Sequence, residues 1–112
     1  MNCIFCSLVA GEIPATLVHT DDDFIAFNDI NPQAPTHVLI IPRRHIESLK
    51  DTDDDDSPLL GNLVRVATIL AERLRLDDGF RIVINAGADG GQTVSHLHLH
   101  LLGGRAMTWP PG

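Results

Sequence analysis

Three of the six histidines in this 112-residue chain stand at alternate positions of one stretch, Ser95-His96-Leu97-His98-Leu99-His100-Leu101-Leu102-Gly103-Gly104. Leucines fill the places between them. A two-residue period is that of a β-strand, so the imidazoles share one face at a spacing of roughly 7 Å, and the leucines share the other, which belongs in a core. Imidazoles gathered in this way can do two things. Neutral rings bind metal ions, and His-x-His pairs serve in zinc enzymes. A neutral ring can also attack an electrophilic phosphorus and leave an intermediate that water later cleaves, dividing one difficult displacement into two. A second chemical pair, Cys3-Ile4-Phe5-Cys6, reads in a reducing compartment as half a metal site or a redox couple before it reads as a structural disulfide.

The run His96-Leu-His98-Leu-His100-Leu-Leu fits the His-φ-His-φ-His-φ-φ signature, with φ apolar, of the histidine triad (HIT) family. Gly90-Gly91-Gln92 through Gly104-Arg105, with the ending Trp109-Pro110-Pro111-Gly112, resembles its nucleotide-binding branch. So do Glu12-Ile13-Pro14-Ala15, the loop from Asp29 to His37, and Ile41-Pro42-Arg43-Arg44-His45-Ile46, in the same order and at similar spacing. The likeness covers nearly the whole chain, so residues 1–112 are expected to form one HIT domain.

The resemblance implies an α+β fold: an antiparallel sheet of about five strands with one long and one short helix, dimerising into a continuous sheet. It implies a nucleotide phosphoramidase or nucleotidyl hydrolase that releases a nucleoside monophosphate from purine conjugates through a covalent nucleotidyl-histidine. His98 would be the nucleophile, oriented by the carbonyl of His96. Asn85, Thr93 and His100 would donate to the α-phosphate, and His37 would assist proton relay. Thr93 stands where the related branch commonly has serine; its methyl group can crowd a bulky leaving group. Phe5, Leu8, Ile13, Phe27 and Ile30 would surround the base, Asp29 would accept from the ribose hydroxyls, and Trp109 would border the partner subunit's pocket. Cys3, Cys6, His45 and His96 match a Cys₂His₂ zinc pattern of some bacterial members, which makes a structural zinc the implied cofactor. Two other readings compete: a non-catalytic nucleotide- or zinc-binding regulatory module, and a dinucleoside polyphosphate hydrolase.

The elements that must carry these residues follow from pattern and punctuation. Residues 4–10 are apolar and end at Gly11, enough for a short helix. Residues 16–20 and 23–28 read as a hairpin around Asp21-Asp22, with His19 a surface histidine lacking an evident partner. Two prolines stiffen the loop 29–36, which delivers His37 to the head of a buried strand ending at Pro42. Asp51 to Asp56 is an acidic run that suits helix entry better than a cation site, with Ser57 as N-cap and Pro58 at the first helical position. Helix 57–76 shows an apolar stripe of Leu59, Leu60, Leu63, Val64, Ala67, Leu70, Ala71 and Leu74. Val66 and Ile69 fall off it, and a second apolar face suggests a dimer partner. Residues 77–79 stop the helix, 80–85 form a strand, and the glycines of 86–92 could bring backbone amides to an anion. Short links between strands predict a meander-like sheet packed on the long helix.

Composition bounds the partners. A formal charge of −7 disfavours a nucleic-acid strand, which calls for a basic surface. A single small anion held by local groups remains compatible with it. No apolar run is long enough to span a membrane, and the N-terminal residues lack a basic segment followed by an apolar one, so the cytosol is the expected location.

Overall fold

The computed structural model describes residues 3–112. Its five strands are β1 (Leu17–Thr20), β2 (Phe24–Asn28), β3 (Thr36–Pro42), β4 (Phe80–Val83) and β5 (Leu99–Gly103). They form one antiparallel sheet in the order β1-β2-β3-β5-β4. Two helices accompany them, α1 (Ile4–Val9) and α2 (Ser57–Arg73). The α+β expectation is met, but the sheet is a meander only through β3. The chain then crosses through α2 to the far edge as β4, and β5 returns between β4 and β3. The histidine segment thus occupies an inner position of the sheet.

The two-residue period sorts the side chains. Phe24, Ala26, Val38, Ile40, Leu99 and Leu101 face α2 and join its Leu63, Val66, Ala67, Leu70 and Ala71 in the larger core. Ile25, Phe27, Leu39 and Ile41 point the other way and pack with Cys3 and Phe5 of the α1 region. Burying leucines such as Leu63 and Leu70 contributes about 2–3 kcal/mol each, which holds the long helix to the sheet. The buried row of α2 keeps Leu63, Ala67, Leu70 and Ala71 of the expected stripe and adds Val66. Val66 lies in the core, whereas Val64 and Leu74 are exposed, because the sheet meets the row Leu63, Val66, Ala67, Leu70, Ala71 at helical spacings of three and four.

The helix ends also differ from expectation. Ser57 is the first residue of α2, and the capping falls upstream: Asp53 and Asp56 form a reciprocal capping box around a turn of 3₁₀ helix, Asp54–Asp56, that runs into α2. Asp56 is further paired with Arg44. The acidic run is helix entry. At the other end α2 stops at Arg73, before Asp77-Asp78-Gly79, because Arg75 adopts a positive φ of 59°. The Leu76 amide then donates to the Ala71 carbonyl at 2.9 Å, closing the helix as a left-handed residue does after a C-cap. β4 is likewise shorter than expected. His19 has a partner after all, its Nε2 lying 2.7 Å from Asp21 Oδ2. No helix among the described residues is long and apolar enough to cross a membrane.

Candidate functional site

Only His100 of the three alternate histidines lies in β5; His96 sits in a bend before it, and neither His96 nor His98 pairs in the ladder. The alternation survives nonetheless, with Leu97, Leu99 and Leu101 buried in the larger core and the imidazoles on the α1 side. The Leu97 amide donates to the Ile46 carbonyl at 2.6 Å, which brings His45 beside His96. His37, at the second position of β3, stands opposite Leu102, two residues from His100.

Hydrogen bonds fix the protons on these rings, since a neutral imidazole donates from one nitrogen and accepts at the other. His98 Nδ1 lies 2.7 Å from the His96 carbonyl. A carbonyl only accepts, so Nδ1 carries the hydrogen and Nε2 keeps its lone pair. The Gln33 amide donates to His37 Nδ1 at 3.0 Å, which puts the His37 hydrogen on Nε2, and this nitrogen sits 2.9 Å from His100 Nδ1. His100 therefore accepts at Nδ1 and donates at Nε2, a buried nitrogen with no acceptor among the described residues. The rings of His98 and His100 are 5.0 Å apart. One presents a lone pair and the other an N–H. Burial first, then the neighbouring His98 and His37, push the His100 pKa down to about 4, so it is a neutral donor at ordinary pH.

Asp29 Oδ2 approaches His37 Nε2 at 3.5 Å. Asp29, His37 and His100 are close enough together to suggest a metal site. The Gln33 amide argues otherwise, because it occupies the lone pair of Nδ1 and leaves Nε2 protonated, unable to ligate. The trio is a hydrogen-bonded histidine pair with a carboxylate beside it.

Four other ligand atoms converge below it. His45 Nδ1 and His96 Nδ1 are 3.2 Å apart; Cys6 Sγ lies 3.2 Å from the first and 3.6 Å from the second; Cys3 Sγ lies 3.4 Å from His96 Nδ1. A zinc ion with bonds of about 2.3 Å to sulfur and about 2.0–2.1 Å to nitrogen has tetrahedral edges of about 3.3 Å between nitrogens and about 3.6 Å between nitrogen and sulfur. The donors fit. His96 donates from Nε2 to the Pro42 carbonyl at 2.8 Å, which turns Nδ1 toward the sulfurs as an outer partner of a metal ligand does. Burial lowers the His96 pKa and keeps the ring neutral. Burial, and then the adjoining Cys3, raise that of the Cys6 thiol. A cation among the four would reverse the pressure on the sulfur.

The remaining residues named from sequence are brought together unevenly. Phe5 and Phe27 are buried and meet edge to face at 5.6 Å, with Leu8 packed beside them. Ile13 is 38% exposed, and Ile30 and Trp109 are almost fully exposed, so these three do not join that apolar wall. Ile30 belongs to the surface loop after β2, and the wall closes without it. Trp109 sits on a tail tied down by Arg81, which donates to the Thr108 carbonyl at 2.8 Å. Asn85 is half-buried and Thr93 exposed, flanking the glycine loop. That loop is no anion cradle through its first amides. Gly87 N–H is taken by Gln92 Oε1, Gly91 N–H by the Ala88 carbonyl and Gln92 N–H by the Gly87 carbonyl. Its glycines serve the turn: a Cβ at Gly90 would come within 2.5 Å of the Ala86 oxygen.

Gln92 was overlooked as a functional strut. Its Nε2 donates to the carbonyls of Glu47 and Val94, fastening the loop before Thr93 to the segment after His45. A glutamine following two glycines gives little signal of such reach. A cavity of about 550 Å³ between residues 75–81 and 104–107 is lined by none of the histidines, so the chemistry is located by ring geometry rather than by volume.

The HIT domain model matches residues 10–107. A solved HIT family hydrolase of Legionella pneumophila is 56% identical, with a TM-score of 0.97 over 99% of this chain and 100% of that one. A 14 kDa zinc-binding protein of Zea mays is 49% identical over 97% of this chain and 87% of its own length. A histidine triad nucleotide-binding protein of Candida albicans, also solved, is 34% identical, with a TM-score of 0.82 over 97% of this chain and 83% of that one.

Proposed function

Since this chain belongs to the HIT domain family, we propose that it is a nucleotide phosphoramidase or nucleotidyl hydrolase acting on nucleoside 5′-phosphoramidates or related conjugates. The observation that carries this reading is the 2.7 Å bond from His98 Nδ1–H to the His96 carbonyl, which leaves Nε2 free to attack. That lone pair forms a bond to the α-phosphorus while the phosphorus–nitrogen bond to the leaving group breaks. The His96 carbonyl stabilises the positive charge that the ring acquires. His100 Nε2–H has no acceptor among the described residues, and a phosphoryl oxygen completes it as charge grows there. Asn85 and Thr93 add donors from the edge of the loop. The departing amine takes a proton from solvent, for which His37, beside Asp29 and His100, offers the relay, and the water that attacks in the second step returns one. Water then attacks the nucleotidyl-His98 and releases the monophosphate.

Phe5, Leu8 and Phe27 form the apolar wall for the base in this reading, and Asp29 accepts from the ribose. Support for the nucleotide comes from the likeness to the histidine triad nucleotide-binding protein of Candida albicans. A purely regulatory binding module would need no imidazole lone pair beside the phosphate, so the His98 tautomer favours the enzyme.

Cys3, Cys6, His45 and His96 are the residues that would hold zinc, a reading supported by the name of the Zea mays relative and by the donor geometry. Bound there, zinc supplies structure, since four protein ligands leave no open position for an activated water. We also take the working form to be a homodimer, with exposed Val64 and the free edge strand β4, including Phe80, as the contact. The cytosol is a compartment in which two free thiols persist as ligands.

The decisive experiment mixes the protein with adenosine 5′-phosphoramidate, quenches early in denaturant and looks for an adenylyl adduct on His98 by intact mass and peptide mapping. Turnover without any adduct, even under single-turnover conditions, rejects the covalent route.

A further inference from the structure

His96 belongs to two constellations at once. Its Nδ1 faces the sulfurs of Cys3 and Cys6 and the ring of His45, while its carbonyl accepts from His98 Nδ1–H. A second link runs through α1. Phe5 lies between the two cysteines in sequence, and its buried ring meets His98 edge to face at 5.2 Å and 81°, and His96 at 5.9 Å and 76°. With Phe27 behind it at 5.6 Å, this ring closes one side of the His98 imidazole.

A six-residue helix cannot hold itself in place. Its anchors are the apolar packing of Phe5 and the two sulfurs on either side of that residue. We propose that the Cys3-Cys6-His45-His96 cluster positions the nucleophile: metal held there fastens α1 so that Phe5 braces the His98 ring, and fixes the His96 peptide that orients it. This rests on the zinc and nucleophile readings given above and assigns to Phe5 a positioning role distinct from its place in the base wall. Displacing a reacting group by about 1 Å costs on the order of a hundredfold in rate. The cluster is therefore coupled to chemistry although it touches no substrate.

The test compares zinc-loaded wild type, the same protein stripped by chelator, Phe5→Leu and Phe5→Tyr. Three quantities are read: the single-turnover rate of adduct formation at saturating adenosine phosphoramidate, the downfield proton resonance of His98 Nδ1–H, and hydrogen-exchange protection of residues 4–9. Phe5→Leu should keep one zinc per chain yet form adduct about ten- to a hundredfold more slowly, with Phe5→Tyr restoring most of the rate. Stripping should weaken the His98 resonance and the protection of α1 while the sheet stays protected, and added zinc should restore both.

A stripped protein with an intact sheet, an unchanged His98 resonance and a rate within twofold of the loaded form overturns the proposal. An unchanged rate in Phe5→Leu does the same, and decides the matter if stripping unfolds the chain. Wild type that forms adduct but never holds metal overturns this inference and leaves the activity standing. Wild type that holds zinc but forms no adduct removes the activity, while loss of the His98 resonance on stripping still supports the positioning.

Discussion

The imidazoles of His37 and His100 are joined by a 2.9 Å contact between Nε2 and Nδ1, and the Gln33 amide on the far side of His37 sets its direction. Both rings are neutral in this arrangement. Protonating His100 at Nδ1 would place a hydrogen against the His37 N–H, in addition to the cost of burial that already holds its pKa at about 4.

A pH dependence of stability follows. The unfolded chain protonates His100 near its ordinary value of 6.5, whereas the folded chain waits until about pH 4. Between those values the unfolded state binds more protons, so stability is fullest above 6.5 and declines as pH falls toward 4. Urea denaturation at a series of pH values should show this decline, and His100→Gln should flatten it. A variant with the same pH slope as wild type would remove His100 from the account.

Replacing the nucleophile separates chemistry from binding. His98→Ala should lower kcat by more than about a thousandfold, while nucleoside monophosphate affinity measured by calorimetry changes far less, because the ring is asked for covalent work rather than ground-state affinity. Activity within about tenfold of wild type would defeat the mechanism.

Metal content is directly measurable. Protein prepared without chelator should carry one zinc per chain, and Cys3→Ser or Cys6→Ser should lower both that ratio and the melting temperature, by about 10 °C or more if several kcal/mol of binding energy is lost. Elemental analysis finding no zinc in the wild-type protein would reject the Cys₂His₂ site.

Much of this arrangement was legible because it rests on period and punctuation. Leu97, Leu99 and Leu101 are buried as an alternating pattern requires, and Pro42 ends β3 where a missing amide must end a ladder. What escaped depends on contacts distant in sequence or on rare backbone states. Nothing in the types of Arg75 or its neighbours announces a left-handed residue, so the helix seemed to run on to 76. The choice between Val64 and Val66 as the buried valine depends on which row the sheet meets, a matter of docking angle rather than of amphipathic pattern. The tautomer of His37 depends on the backbone amide of Gln33, a main-chain partner that leaves no mark in side-chain identity, whereas the His96 carbonyl expected to orient His98 does so at 2.7 Å. The four candidate zinc ligands come from three separate stretches, so CxxC alone supplied half of the set and family likeness the remainder.

The assembly prediction turns on surface that a lone chain leaves open. Val64 on α2 is 44% exposed and Phe80 on the edge strand β4 is 42% exposed. An edge strand with an exposed Phe80 invites pairing with a second copy, which would continue the sheet across a two-fold axis. Sedimentation at micromolar concentration should therefore find a dimer, and Val64→Glu should shift it toward monomer by placing a charge in the contact, with little effect on the fold because Val64 lies outside the buried row. Trp109, exposed on a tail held by the Arg81–Thr108 contact, would then be available to a neighbouring pocket. Truncation after Gly104 in a confirmed dimer should change the ranking of substrates with different leaving groups. A wild-type monomer would refute the dimer, and an unchanged ranking in the truncated dimer would refute the role of the tail.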